Sequence, residues 1–230
     1  MSFLRTATFL RARPFRGSAR ASIRFLRRNG FEMNSAEVHS SARPGSTSKR
    51  KSDFGALVTA VVAVSVADLW NEAVDEWDVV ALEEDPEQGG ICICGQVGLV
   101  KLFTISNGHT AEELNPIGSS CITLFERSDM ELQVKALSGL FTLRNAIRAG
   151  DDVTLTSDYF SRLVLDTLHS EGAFPGDRWN KGDGGKDHEF LLKMFNKREK
   201  SDISVKQQNK IDALLAKKIV PFVLNDARLK

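Results

Sequence analysis

"ICICGQVGLVKLFTISNGHTAEELNPIGSSCITLF", residues 91–125, holds all three cysteines of a 230-residue chain. In "ICIC" the isoleucines alternate with Cys92 and Cys94, so an extended backbone turns both sulfurs to one side. Gly95 follows directly and permits the tight backbone of a metal knuckle. "LVKLFTI" behind it alternates as a strand, with Leu99, Lys101, Phe103 and Ile105 on one face and Val100, Leu102 and Thr104 on the other. Cys121 then arrives behind Gly118 and Ser119, residue types suited to a helix start. There the free N–H groups and the positive end of the dipole favour a thiolate. Knuckle, hairpin and helix start, in that order, describe a treble-clef zinc site.

Structural zinc takes four ligands and only three thiols exist. His109, in the loop "SNGHTAEE", is the first candidate for the fourth; Glu126 and Asp129 are weaker ones. With no fourth ligand the open position would carry water, as in catalytic zinc. No adjacent His/Glu pair is placed to act as acid or base, so catalysis is not expected. Core packing is the competing reading. Free cysteine is among the most buried residue types, and one C-x-C with a distant cysteine is a weaker signal than two paired C-x-x-C units.

Around this stretch the pattern predicts a second strand, "WDVVALEE" (residues 77–84), with Trp77, Val79 and Ala81 on one face, pairing antiparallel beside the cysteines. Ahead of it, "FGALVTAVVAVSVADLW" is the most apolar run. Its uninterrupted part, residues 54–67, falls short of the roughly 20 residues of a spanning helix, which predicts a buried segment and no membrane anchor. Beyond Cys121 the pattern turns helical. Ser128 and Glu131 make an S-x-x-E box ahead of Val134, Leu137, Leu140 and Phe141, and Phe160, Leu163, Val164 and Leu168 repeat the helical spacing after Ser157. "HEFLLKMFNKREK" gives another helix, and Ser204 with Gln207 caps a last one that Pro221 is expected to stop. The fold class is therefore α+β: a zinc-stabilised antiparallel β-hairpin module over residues 53–127, followed by a helical region over 128–230.

The net charge of +1 hides a division. Residues 1–51 carry twelve Lys/Arg against two acids, leaving nineteen against twenty-eight for the remainder, so the basic character is largely a tail. The first thirty residues have eight arginines and no acid. Three readings remain open for the tail, residues 1–52: a mitochondrial presequence, an upstream extension with Met33 as the start, or a disordered nucleic-acid-binding arm. An odd cysteine count in a chain of this length points to a reducing compartment, the cytoplasm or alternatively the mitochondrial matrix. His39 falls in the tail and His188 begins a polar helix turn, where solvation suffices to explain them, and His169 ends an amphipathic helix, where a cation near the C-terminus is favourable without any function. "KGDGGKD" lacks the spacing of a phosphate loop.

The run "WNEAVDEWDVVALEEDPEQGGICICGQ…LVKLFTISN…LNPIGSSCITLF" resembles a group of poorly characterised bacterial, phage and mobile-element proteins. The residues carrying the likeness are Glu72, Ala73, Glu76, Trp77, Cys92, Cys94, Gly95, Asn107, Gly118, Ser119, Cys121, Ile122 and Phe125. "FLLKMFNKREKSDISVKQQNKI" extends it, so that it spans about residues 65–222. Some relatives carry His after the knuckle glycine, where this chain has Gln96. The resemblance implies a treble-clef-like zinc module, favours the Met33 start, and supplies no settled activity.

From Arg178 onward there are thirteen Lys/Arg and seven acids. Lys193, Lys197, Arg198, Lys200, Lys206 and Lys210 form the candidate phosphate-contacting surface. The functional expectation is a zinc-binding module that binds nucleic acid through these helices. The alternative is a mobile-element interaction or inhibitor protein whose acidic N-terminal half engages a basic protein partner. A zinc-dependent nuclease ranks third, since no His and Asn partners for a metal-bound phosphate are visible.

Overall fold

The computed structural model describes residues 53–230. The basic tail, with His39 and the readings attached to it, lies outside the described residues. Asp53 accepts the Ala56 N–H at 3.3 Å and so caps α1 (Phe54–Val62), which buries Leu57 and Val61. Only residues 54–62 of the apolar run are helical, and Phe54, Val66 and Leu69 are exposed, so the run is not the buried segment expected throughout. Among the described residues no helix is long and apolar enough to cross a membrane. A short α2 (Trp70–Ala73) and a 3-10 turn (Val74–Glu76) then deliver the chain to β1 (Trp77–Glu84).

β1 pairs antiparallel with β4 (Lys101–Asn107), and β4 with β5 (Glu113–Ile117), giving a sheet of order β1-β4-β5. The pairing expected between "WDVVALEE" and the strand after the cysteines is present, from Trp77↔Asn107 to Glu84↔Lys101. Val79 opposes Ile105 and Ala81 opposes Thr104, so Val80 is an inserted bulge residue. The insertion resets the phase, so that Leu82, opposite Phe103, takes the place expected of Ala81 on the face of Trp77 and Val79, and Ala81, opposite Thr104, turns to the other face. "LVKLFTI" divides in two: β3 (Val97–Leu99) turns back on β2 (Gly90–Ile91), and β4 starts afresh at Lys101. At the break the Val100 carbonyl accepts the Asp85 N–H at 2.8 Å.

The helical region begins with α3 (Ser119–Ile122), a 3-10 turn (Thr123–Phe125) and the long α4 (Ser128–Ala149). Ser128 is already helical and Arg127 is the N-cap, so the expected Ser128–Glu131 box is not formed. Instead the Arg127 guanidinium donates to the Val74 and Trp77 carbonyls and pairs with Asp78 and Asp129, tying the helix start to the head of β1. Farther along α4, Gln133 accepts the Val79 N–H at 2.8 Å where the bulge interrupts the ladder. α5 (Arg162–Ser170) starts at Ser161 rather than Ser157, with the Ser161 hydroxyl accepting from Val164 at 3.1 Å. It crosses α4 so closely that a Cβ on Gly139 would sit 2.5 Å from Val164.

α6 (Gly185–Phe195) and α7 (Val205–Leu214) complete the layer, the latter opened by the Ser204–Gln207 capping box. Pro221 does not stop this helix. The chain widens into a π turn (Leu215–Ile219) and resumes as α8 (Val220–Leu224), with Pro221 in its first turn, where a missing N–H costs little. The last residues return to the free edge of β1: Leu82 donates to Arg228 O and accepts from Lys230 N, both at 2.9 Å. Arg144, buried in α4, donates to the Leu229 and Lys230 carbonyls. One contiguous apolar cluster runs from Leu57 and Val61 through the sheet and the three cysteines to Ile211, Val223 and Leu229.

Candidate metal centre

Cys92 to Gly95 form a tight turn in which the Gly95 N–H donates to the Cys92 carbonyl at 2.7 Å. Gly95 has φ +82°, a conformation that an L side chain would strain. Two backbone bonds hold the turn from outside: Ile93 N–H to Pro116 O at 3.1 Å, and Asp53 N–H to Cys94 O at 3.0 Å. The β2–β3 hairpin therefore carries its thiols against the end of β5, and α3 presents Cys121 from the other side.

Cys121 Sγ lies 3.5 Å from Cys92 Sγ and 3.2 Å from Cys94 Sγ, and all three sulfurs are within 4.8 Å of one another. All three are free thiols and at most 2% exposed. Thiolates at about 2.3 Å on a tetrahedral zinc stand roughly 3.8 Å apart, so the donor set already has the compactness of a metal site. The Gly118 N–H donates to Cys92 Sγ at 3.3 Å, the type of backbone bond that orients a thiolate ligand. Hydrogen bonds from Cys121 and from Gly118 lower the Cys92 thiol to about 5 against the opposing effect of burial. Its bond to Cys92, burial and the neighbouring thiol push Cys121 upward. Left to itself the cluster stabilises one negative charge and resists a second. A soft divalent cation removes that conflict, and three sulfurs suit zinc better than any oxygen-preferring ion.

His109 is not brought to the thiols. It is exposed in the turn between β4 and β5, its N–H donating to Asn107 Oδ1 at 2.8 Å. The sulfurs gather where Phe103 faces Ile117, at the opposite end of that hairpin, about 13 Å of strand away. Asp129 is occupied by Arg127 and Glu126 is exposed. Among the described residues no His, Asp or Glu joins the three cysteines.

Two other residues of the motif have a structural explanation. The buried Glu76 carboxylate accepts the Val66 and Ala67 N–H groups, both at 2.8 Å, and Asn107 Nδ2 at 2.7 Å. The Asn107 bond and the two backbone bonds hold its carboxyl below the ordinary value in spite of burial. Asn107 Oδ1 in turn closes the turn by accepting from His109 and Thr110.

The basic residues have mixed surroundings. Lys193, Arg198 and Lys206 are exposed. Lys197 Nζ donates to the Asp202 carbonyl, and Lys200 Nζ to the Met194 and Phe195 carbonyls, so both satisfy orphan acceptors around the end of α6. Lys210 pairs with Asp187 at 3.0 Å and lies over the Phe190 ring. Sequence reasoning left two clusters unread. His169 and His188 stack with ring centroids 4.4 Å apart, and His188 Nε2 is 2.9 Å from Asp166. A groove of about 730 Å³ opens between the loop at residues 175–183 and α7 with its π turn, lined among others by Arg178, Trp179, Leu214 and Lys217. The loop and α7 are some 30 residues apart, and the one available signal was a tryptophan set within the polar loop "PGDRWNKGDGGKD". No family model, curated protein or solved structure matches the chain, so the likeness to the phage and mobile-element group rests on its motif residues alone.

Proposed function

We propose that the protein is a zinc-binding module in which the metal ties the β2–β3 knuckle to the start of α3, and that basic side chains of its C-terminal helices contact nucleic acid. The observation that carries the metal is the convergence of three buried sulfurs from two separate elements, with the Gly118 amide aimed at one of them. Cys92, Cys94 and Cys121 would hold the ion. Its charge would neutralise thiolates that burial otherwise disfavours, and its bonds would replace a disulfide as the local staple. The nucleic-acid part is supported by charge alone: exposed Lys193, Arg198 and Lys206 on the region that carries the excess of Lys/Arg.

Metal analysis of the purified protein tests the first part. About one equivalent of zinc, falling below a tenth in Cys121→Ser, is expected; substoichiometric zinc unchanged by that substitution would leave the thiols as core packing. Binding of an oligonucleotide that weakens steeply with salt tests the second, and no binding at low salt would end it.

A further inference from the structure

The most exposed large apolar side chain among those described is Trp179, at 78%. It does not stand on a loose segment. Asp177 Oδ1 accepts from both Trp179 N and Asn180 N, at 2.7 and 2.9 Å, and buried Asn180 returns bonds to Asp177 N, Pro175 O and Asp187. Beneath it, a Cβ on Gly176 would lie 2.5 Å from the Gly182 carbonyl, so the two ends of the loop touch backbone to backbone. A rigidly built loop that holds an indole in water beside a groove is organised for a ligand, because exposing that surface brings the folded chain no stability.

The groove's charges identify the ligand. Its two acids are already used: Asp187 by Lys210 and Lys218, Asp177 by Lys218. Arg178, with its guanidinium 4.5 Å from the Trp179 ring centroid, and exposed Lys217 are left without a carboxylate partner among the described residues. An aromatic platform flanked by uncompensated cations fits a base with its phosphates. Lys206 at the start of α7 and Lys217 in the π turn that follows it extend the positive charge on either side of the Lys210–Asp187 pair over roughly 16 Å, the span of several nucleotides and too long for one.

We propose that this groove is a single-strand nucleic-acid subsite, in which an unpaired base stacks on Trp179 while Arg178, Lys206 and Lys217 contact the backbone. A duplex keeps its bases stacked inside and offers no face to the indole. The inference rests on the nucleic-acid reading above and names its substrate class and its site.

The test uses the full chain and a labelled oligothymidine of about 12 nucleotides, with a duplex of equal length and a mononucleotide as comparators. Single-strand binding is expected to exceed duplex binding, to quench the Trp179 emission, to weaken about tenfold or more in Trp179→Ala, and to be largely restored in Trp179→Phe. Lys217→Glu should weaken it further and lower its salt dependence. Trp179 is exposed, so Trp179→Ala is expected to fold, and an unchanged melting temperature checks this. Unaltered oligonucleotide affinity in Trp179→Ala would overturn the subsite while leaving a contact through Lys193 and Arg198 standing. A preference for duplex, or a mononucleotide competing as well as the oligomer, would overturn the single-strand assignment. No binding to any probe at low salt would remove the nucleic-acid reading itself.

Discussion

The buried centres around Asp187 and around Cys121 are built on opposite plans. Around Asp187, which is 2% exposed, every demand is met from within: Lys210 at 3.0 Å, Lys218 at 2.8 Å and Asn180 Nδ2 at 3.0 Å surround one carboxylate. Burial pushes its pKa up, and the bonds from Lys218, Asn180 and Lys210 outweigh that and hold it low. Around Cys121 three buried thiols converge, with the Gly118 N–H donating to one of them. The first centre is closed, and removing any part leaves a remainder that is worse off. The second is short of positive charge, and its stability is expected to depend on what is supplied from solution.

The sharpest way to break this contrast is to withdraw the proposed metal. Chelation, or Cys94→Ser, is expected to lower the melting temperature by on the order of 10 °C or more, since a structural zinc contributes its binding free energy to folding. Calorimetry with and without chelator reads it, and an unchanged transition would make the thiol cluster as self-sufficient as the Asp187 centre. Next in size is Asp187→Ala, which removes one of the two carboxylates paired with the part-buried Lys218 and takes an acceptor from Asn180 Nδ2, and is expected to cost about 2 kcal/mol by denaturant titration. Pairing it with Lys218→Met should recover much of that loss, because an apolar pair carries no desolvation penalty. A double variant as unstable as the single one would show that packing, not charge, sets the cost.

The smallest effect is acid sensitivity. Asp177 titrates at about 2, held down by its bond from Lys218 and by the Asn180 amide, below its ordinary 3.8. A carboxyl with a depressed folded value stabilises above its unfolded value and loses that contribution as pH falls through the folded one. The loop at residues 175–183 should therefore loosen only between about pH 4 and pH 2. Trp179 emission followed through acid reports it; loosening near neutrality would contradict the closed plan.

The same contrast divides what was legible in the sequence. The antiparallel pairing of "WDVVALEE" with the strand after the cysteines, the C-x-C-G turn and the Ser204–Gln207 box come from local patterns and are present, whereas the alternation within "WDVVALEE" breaks at Val80 and "LVKLFTI" divides at Val100. His109 lies between two cysteine positions in the chain, but a hairpin carries its middle residues farthest from its ends. Proximity in sequence therefore became distance in space. Val80 shows a similar limit, since a bulge is invisible until the partner strand is known. Pro221 reads as a stop because the π turn before it has no sequence signature of its own. The Trp179 groove is assembled from two segments that nothing in the pattern links.

The return of the last residues to β1 bears on how the chain is made. Leu82 and Leu229 are roughly 150 positions apart, so this edge closes only through a contact of very high sequence separation. Until Arg144 has captured the Leu229 and Lys230 carbonyls, β1 presents open backbone groups able to recruit a strand from another molecule. Refolding yield, more than native stability, is where a change at Arg144 or Leu229 should register: a nascent chain that stalls before this clasp forms is a template for its neighbours.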